Sequence, residues 1–233
     1  MTVLNAVKHA LEILYPLRCC GCGAHGFVLC RECVESLRAV DQASTCPVCG
    51  RWIGKRIMCG DCILEKRGFH EGYYGFYFED RLRDALHAFK FQNRKDMGKY
   101  LINLIKERII PLSEKCDVII PIPVTEKRLR ERGFNQSFII SEEISRITGR
   151  PVYPSVLRKA KETKDQYSLS KEERRKNIKG AFMVQEGTSI KEKSILLVDD
   201  LFTTGYTAQE ASRVLLKEKP RQVTVFALAR TPS

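Results

Sequence analysis

The stretch ILLVDDLFTTGYTA, residues 195–208, decides the fold class of this chain. Four apolar residues predict a short buried strand, and two acids, Asp199 and Asp200, end it before a helix that begins near Thr207. In open α/β sheets, ligands bind at the carboxyl ends of the strands. We therefore expect the two carboxylates to accept hydrogen bonds from vicinal sugar hydroxyls or to face a nearby cation.

The turn after the two acids has the features of a phosphate-binding loop. Backbone N–H groups at a helix N-terminus, together with threonine hydroxyls, can hold a phosphate. Carboxylates repel phosphate, so the whole stretch predicts a site for a sugar that carries a terminal phosphate. The expected phosphate-binding residues are Thr203, Thr204, Gly205, Tyr206 and Thr207.

The elements around this stretch predict an α/β fold with a mainly parallel sheet and helices on both faces. Strand patterns occur at 73–79, 117–124, 181–184, 194–200 and 222–229, and helix patterns at 80–91, 99–110, 138–149 and 207–218. The polar segment 157–180 holds nine Lys and Arg against four acids. A long polar stretch inside an α/β domain predicts a mobile functional loop.

Composition limits the classes of function. Among 233 residues, 40 Lys and Arg outnumber 28 Asp and Glu, so the net charge is +12. This excess favours anionic partners such as phosphates, nucleotides or nucleic acid, although a solvated basic surface is the alternative interpretation. Apolar residues make up 43% of the chain, which argues against disorder. With no membrane-length apolar run and no visible signal peptide, we expect a cytoplasmic protein that does not insert into a membrane.

Nine of the ten cysteines lie between residues 19 and 62, as four C-x2-C pairs and the additional Cys20. One such pair directs two thiolates at a tetrahedral ion, and two pairs complete a structural zinc site. A disulfide scaffold is disfavoured because nothing indicates secretion. Cys20 and Cys116 are expected not to be ligands, although the adjacent Cys19 and Cys20 leave two possible registers for the first pair. The predicted ligands are Cys19, Cys22, Cys30, Cys33, Cys46, Cys49, Cys59 and Cys62.

The cysteine spacing leaves the pairing open. Two consecutive sites would use the first pair with the second and the third pair with the fourth. A cross-braced arrangement would join the first pair with the third and the second with the fourth. Either arrangement predicts two zinc ions that supply folding energy to a segment poor in large apolar residues.

The order of two acids, two apolar residues and T-T-G-x-T resembles the 5-phosphoribosyl 1-pyrophosphate (PRPP) signature of type I phosphoribosyltransferases. Three further motifs resemble the ComF competence-protein family. They are PIPVTEKRLRERGFNQS (121–137), Thr163-x2-Gln166-x2-Leu169 and Arg174-x2-Asn177-x4-Phe182. That family joins an N-terminal zinc module to a phosphoribosyltransferase-like domain, and the resemblance covers essentially the whole chain.

The resemblance implies a domain organisation and site roles. The domains would be an N-terminal helix (1–17), a zinc-ribbon-like module (18–66) and a phosphoribosyltransferase-like domain (67–233), with a hood-like lead-in at 67–112. Asp199 and Asp200 would contact ribose hydroxyls, and Mg²⁺ would bridge these hydroxyls and the pyrophosphate. The other implied pyrophosphate or loop contacts, for some of which a solvated surface charge is equally open, are Lys127, Arg128, Arg132, Arg158, Lys161 and Arg174.

The resemblance leaves two functions open. The first is a ribose-phosphate-binding protein that handles single-stranded DNA during natural competence with other DNA-processing proteins. The basic loop, the zinc module and the exposed members of the aromatic run 73–78 could then form a strand-tracking groove, although a core strand is the alternative for the aromatics. The second is a Mg²⁺-dependent transferase acting on an unidentified acceptor. Enzymes for 6-oxopurines carry an aspartate where Thr203 stands, so that subclass is disfavoured.

Overall fold

The computed structural model describes residues 17–65, 67–161 and 171–232. The predicted N-terminal helix at 1–17 falls almost entirely outside these residues. The residues of the motif Thr163-x2-Gln166-x2-Leu169 and the side chain of Arg174 also lie outside them.

A four-stranded parallel sheet forms the centre of the described chain, in the order β1–β6–β5–β2. A separate antiparallel pair consists of β3 and β4. The prediction of a mainly parallel sheet is therefore confirmed. The strands are β1 (Glu71–Tyr77), β2 (Val118–Pro121), β3 (Leu157–Lys159), β4 (Phe182–Val184), β5 (Ser194–Phe202) and β6 (Gln222–Arg230).

Nine α-helices occur in the described part of the chain. They are α1 (Arg31–Glu35), α2 (Gly60–Leu64), α3 (Asp80–Phe91), α4 (Lys95–Leu104), α5 (Lys106–Ile109), α6 (Glu126–Arg132), α7 (Gln136–Thr148), α8 (Lys171–Ile178) and α9 (Tyr206–Leu215). Short 3-10 turns lie at Gln42–Ser44, Ile110–Glu114 and Leu216–Glu218. None of these helices has the length and apolar character needed to cross a membrane.

Helices cover both faces of the sheet, as the sequence predicts. Side chains alternate along β5, and the four apolar residues 195–198 are fully buried. Ile195 and Leu197 belong to the core that includes α9 and the cysteines between residues 46 and 62. Leu196 and Val198 belong to the core built from α3, α4 and α7. Two buried faces explain why this strand is a continuous apolar run instead of an alternating one.

Two predicted elements are shorter than expected, and a proline lies near the point where each pattern ends. The sequence predicts a strand over 117–124, but β2 ends at Pro121, and Pro123 has no N–H group with which to continue the ladder. It also predicts one helix over 99–110. The structure has α4 and α5 separated at Ile105, followed by a 3-10 turn that contains Pro111.

The segment 157–180 is not one continuous loop. The structure places β3 at its start and α8 near its end, with residues 162–170 outside the described chain. Leu157 and Ile178 are 1% and 2% exposed, and they anchor the segment in the core beside Phe182 of β4. Because most residues of this segment are polar or basic, these two apolar residues form no recognisable strand or helix pattern. The sequence therefore suggests only a polar loop.

The cysteine-rich segment covers the outer edge of the sheet at β1. Val40 N–H donates to the Gly75 carbonyl at 3.0 Å, and Tyr77 N–H donates to the Arg38 carbonyl at 2.8 Å. Further along, Gly72 N–H donates to Pro47 at 2.8 Å. An open sheet edge would expose unpaired backbone groups, so this contact completes the sheet as well as docking the module.

Candidate functional site

Two groups of four cysteines converge in the N-terminal module. Within each group the Sγ atoms all lie within 4.8 Å of one another. The structure therefore selects the consecutive arrangement and excludes the cross-braced one. Cys20 and Cys116 lie outside both groups, as expected. The groups are Cys19, Cys22, Cys30 and Cys33, and Cys46, Cys49, Cys59 and Cys62.

Both groups fit a four-thiolate zinc site. Zn–S bonds of about 2.3 Å in a tetrahedron place neighbouring sulfurs about 3.8 Å apart. The Sγ atoms of Cys22 and Cys30 are 3.5 Å apart, and those of Cys49 and Cys59 are 3.6 Å apart. Four protein thiolates leave no open position for a substrate, so zinc here is structural.

The acidic pair lies at the carboxyl end of the central strand β5. Asp199 and Asp200 border a cavity of about 130 Å³. Four basic side chains share this cavity with the two carboxylates, so its lining has an excess of positive charge. The lining residues are Lys90, Ile122, Pro123, Val124, Arg128, Arg132, Gln136, Ser137, Lys159, Asp199, Asp200, Leu201, Thr203 and Thr207.

Asp199 is held from two sides. Its Oδ1 accepts hydrogen bonds from Ser137 Oγ at 3.2 Å and from the Asp200 N–H at 2.9 Å. Burial, followed by the negative charge of Asp200, raises the pKa of Asp199 to about 7. The Asp199 carboxyl therefore holds a proton more readily than an ordinary aspartate does.

Asp200 forms an ion pair with Lys90 of α3. Its Oδ2 lies 2.6 Å from Lys90 Nζ, and the side chains are 15% and 9% exposed. Burial alone would raise the pKa of Asp200, but the Lys90 ammonium outweighs it and lowers the pKa below its ordinary value. Sequence reasoning missed Lys90. Helical spacing could have predicted that Lys90 points inward, because it lies on the same face of α3 as the buried Leu82 and Leu86.

The predicted phosphate loop joins the acidic pair to α9. Thr203 and Thr207 line the cavity, whereas Tyr206 is buried. Gly205 has φ of +81° and precedes the helix as its N-cap, with no side chain bonded to the first turn. The first turn of α9 thus begins beside the acids, where the N-terminal end of a helix attracts an anion. The carbonyl of Thr204 accepts a hydrogen bond from Arg67.

The structure separates the predicted cationic contacts into two sets. Arg128 and Arg132 of α6 line the cavity. Lys127 is turned outward, 4.0 Å from Glu131 and 69% exposed. Arg158 and Lys161 are also exposed and are not among the cavity-lining residues.

Lys159 lines the cavity in the position that the sequence assigns to Arg158 or Lys161. These three residues are close in sequence, but β3 ends at Lys159 and directs successive side chains to opposite sides. A strand within the segment 157–180 was not predicted, so this alternation could not be applied.

The motif at 121–137 builds one wall of the cavity. Thr125 Oγ1 accepts from the Arg128 N–H at 3.3 Å and begins α6. Gly133, with φ of +74°, ends this helix. Asn135 Nδ2 donates to the Ile122 carbonyl at 3.0 Å, and its Oδ1 caps α7 through the Ser137 N–H. The polar residues of this motif therefore orient two helices whose first turns face the acids.

The aromatic run of β1 does not form an exposed groove. Tyr74, Phe76 and Tyr77 are 1%, 4% and 5% exposed, and Tyr73 and Phe78 are half-buried. These side chains pack in the cores on both faces of the sheet. The hypothesis of a strand-tracking groove from these aromatics is thus wrong, and the alternative of a core strand is correct.

Comparisons with known proteins agree with this architecture. The model of the double zinc ribbon domain matches residues 10–63. Competence protein F of Haemophilus influenzae is 26% identical over 226 residues, which cover 93% of this chain and 98% of that protein. Competence protein ComFC of Bacillus subtilis is 28% identical over 217 residues, covering 87% and 84%. The DNA utilization protein YhgH of Escherichia coli is 25% identical over 209 residues, covering 87% and 90%.

Solved structures show weaker similarity. A purine phosphoribosyltransferase from Pyrococcus horikoshii has 17% identity and a TM-score of 0.34, over 57% of this chain and 80% of that one. An adenine phosphoribosyltransferase from Leishmania tarentolae has 15% identity and a TM-score of 0.38, over 61% and 74%. We therefore assign the α/β fold from the parallel sheet itself and from the two acids near the carboxyl end of β5.

Proposed function

Because this chain belongs to the ComF family of competence proteins, we propose that the cavity beside Asp199 and Asp200 binds PRPP or a related ribose phosphate. One observation carries the proposal: Asp199 and Asp200 share a cavity with four basic side chains and with the N-terminus of α9. Carboxylates accept hydrogen bonds from a vicinal diol, whereas cations and helix N–H groups attract phosphate. A phosphorylated ribose is the ligand class that matches both halves of this lining.

Each part of the cavity has a proposed role. Asp199 and Asp200 accept from the ribose hydroxyls, and the loop 203–207 holds the terminal phosphate. Arg128 and Lys159 face the pyrophosphate. Mg²⁺ bound to PRPP would neutralise charge on the pyrophosphate beside Arg128 and Lys159.

We further propose that the site serves DNA handling during competence, in the cytoplasm and with other DNA-processing proteins. Support comes from the names of the relatives, two of which are competence proteins and one a DNA utilization protein. The net charge of +12 favours attraction of a single DNA strand to the surface. Since the aromatic residues of β1 are packed, this attraction would depend on charge more than on base stacking.

Calorimetric titration of the full, zinc-loaded chain with PRPP and Mg²⁺ tests the cavity. We expect binding by wild type and a loss of about 100-fold or more in the double variant Asp199→Asn, Asp200→Asn, because two charge-assisted hydrogen-bond acceptors are removed. Asp84→Asn is the matched control, since this acid is 56% exposed on α3. Absence of binding to wild type, or equal binding to the double variant, would reject the proposal.

A transferase reaction is the second candidate function. It is favoured by Arg128 and Lys159, which border the cavity beside the acids and could stabilise negative charge on a departing pyrophosphate. The reaction would form a bond from an acceptor to the anomeric carbon and break the bond to pyrophosphate. Mg²⁺-dependent release of pyrophosphate that requires an added acceptor would support it. If PRPP binds tightly but no acceptor in a screen gives turnover, the protein binds PRPP without acting as a transferase.

Salt dependence tests DNA binding separately. Affinity for a single-stranded oligonucleotide should fall steeply with added salt, because binding releases counterions from the DNA. The same titration with saturating PRPP shows whether DNA occupies the cavity or another surface. Affinity that is absent at low salt, or insensitive to salt, would contradict the DNA-handling proposal.

A further inference from the structure

The acidic pair already has a cation of its own. Lys90 Nζ lies 2.6 Å from Asp200 Oδ2, and both side chains are largely buried. Asp200 is additionally influenced by the positive charge of Arg132, which helps to lower its pKa. The opposite carboxylate, Asp199, accepts from Ser137 and from a backbone N–H. One oxygen of each carboxylate, Oδ1 of Asp199 and Oδ2 of Asp200, is therefore already engaged by a group of the protein.

Lys90 is anchored where it stands. It follows Phe89, which is fully buried and packs against Phe134 with ring centroids 5.7 Å apart. Lys90 also occupies the last turn of α3, where the helix dipole favours a cation. With a backbone fixed by this packing and a side chain only 9% exposed, the ammonium has little access to water as an alternative partner.

A free divalent ion at the pair would have to replace this ammonium or lie beside it. Replacement would leave a lysine charge largely buried without its partner, which is costly. Coexistence would place two cations within a few ångströms in a poorly solvated cavity, where charges interact more strongly than in water. Both routes disfavour metal binding by the protein alone.

We propose that Lys90 is a specificity-determining residue that prevents free divalent metal ions from binding to Asp199 and Asp200. A metal can then enter only with a ligand whose own phosphates carry it. This deepens the proposed function, because it rests on the same cavity and states how Mg²⁺ arrives there. It also assigns a role to α3, which otherwise contributes no charged group to the lining.

The test uses Mn²⁺ alone, titrated into the zinc-loaded full chain and followed by the electron paramagnetic resonance signal of the free ion. Wild type should show no site tighter than about 1 mM. Lys90→Met should gain one site at least about 10-fold tighter, because a positive charge beside two carboxylates is removed. Adding Asp200→Asn to Lys90→Met should abolish that site, whereas Lys90→Arg, which keeps the charge, should behave like wild type.

Tight, Asp200-dependent Mn²⁺ binding by wild type would overturn the proposal without any Lys90 variant. So would a Lys90→Met chain that keeps both zinc ions and a cooperative melting transition but gains no Mn²⁺ site. Lys90→Gln provides a second neutral replacement should the methionine variant fold poorly. PRPP plays no part in this assay, so a failure of PRPP binding with an unchanged Mn²⁺ result would reject the proposed ligand while leaving the role of Lys90 intact.

Discussion

Arg67 Nη1 donates a hydrogen bond of 2.8 Å to the carbonyl oxygen of Thr204, which connects the end of the cysteine module to the loop after the acidic pair. The guanidinium also lies over the ring of Phe202, 5.9 Å from its centroid. A side chain at Gly205 would collide with the same guanidinium. The conformation of the phosphate loop therefore depends on a residue outside the parallel-sheet strands.

Arg67→Met should weaken ribose-phosphate binding by about 10-fold, because the loop loses the hydrogen bond that holds Thr204. Zinc content should remain unchanged, since the cysteines are untouched. Calorimetric titration with PRPP measures the effect. Arg31→Met, at an arginine whose side chain is 89% exposed on α1, is the control that removes a charge without touching the loop. Equal affinities for Arg67→Met and wild type would show that the loop does not need this contact.

Metal analysis should find two zinc ions per chain, one in each four-cysteine cluster. Cys59→Ser should lower the ratio to about one and destabilise the chain by several kcal/mol, because zinc binding supplies folding energy to the second ribbon. Cys20→Ser should keep both ions, since Cys20 lies outside the clusters. A wild-type ratio near zero, or loss of an ion in Cys20→Ser, would contradict the assignment.

Tyr74→Phe should lower the free energy of unfolding by about 1–3 kcal/mol, because it leaves a buried carbonyl without its donor. The Tyr74 hydroxyl donates to Val48 at 2.6 Å, and the side chain is 1% exposed. Tyr73→Phe is the matched comparison. Its hydroxyl donates at 2.7 Å to Glu71 in a half-buried position, so its removal should cost less. Urea unfolding of both variants gives the difference, and a larger loss in Tyr73→Phe would count against the argument.

Gly50→Ala and Gly54→Ala separate backbone strain from steric overlap. The two glycines have φ of +67° and +78°, so alanine is strained at either position by about 1 kcal/mol. A Cβ at Gly50 would also collide with the ring of Tyr74, whereas one at Gly54 meets no atom within 4 Å. We expect Gly50→Ala to cost at least about 1 kcal/mol more in thermal unfolding. Equal losses would mean that the ring moves aside freely.

The pH dependence of stability should reflect the raised pKa of Asp199. This pKa is about 7 in the folded protein, compared with about 3.9 for an unfolded chain. The folded state holds the proton more tightly, so the carboxyl favours folding at low pH and this contribution is lost as pH rises through about 7. At pH 8, Asp199→Asn should therefore be more stable than wild type by about 2 kcal/mol. This is less than the full linkage energy of about 4 kcal/mol, because Asp199 is partly exposed and water screens its charge.

Thermal unfolding of wild type and Asp199→Asn at about pH 5.5 and pH 8 measures this difference, which should shrink at the lower pH. Asp200→Asn is the contrasting variant. Removal of its charge leaves Lys90 largely buried without its partner, so this variant should be less stable than wild type at both values. A constant difference between Asp199→Asn and wild type would show that Asp199 does not titrate in this range.

Much of the fold was predictable because it follows from local pattern. The apolar run 195–198 ending in two acids predicted the central strand, and α3 has the predicted bounds of 80–91. Gly149, with φ of +71°, ends α7 as its position in the pattern predicts. Failures occurred where a few apolar anchors lie in a polar segment, as with Leu157 and Ile178 in the segment 157–180.

The candidate site was predictable only in part. Asp199 and Thr203 were found because the strand, the turn and the helix start are contiguous in sequence. Lys90 and Lys159 were missed because their place in the cavity depends on the packing of α3 and the alternation of β3. Arg158 and Lys161 were predicted instead of Lys159, because charge alone does not distinguish neighbouring residues.

By itself, the sequence determined the parallel α/β architecture, the eight cysteine ligands and the acidic strand end, because each depends on residue types at short, regular spacing. Only the tertiary structure decided which cysteine pairs join, which cations line the cavity and that Lys90 neutralises Asp200. These contacts join residues far apart in the chain. The packing of helices on the sheet determines which of these residues meet, and a local sequence pattern contains no information about that packing.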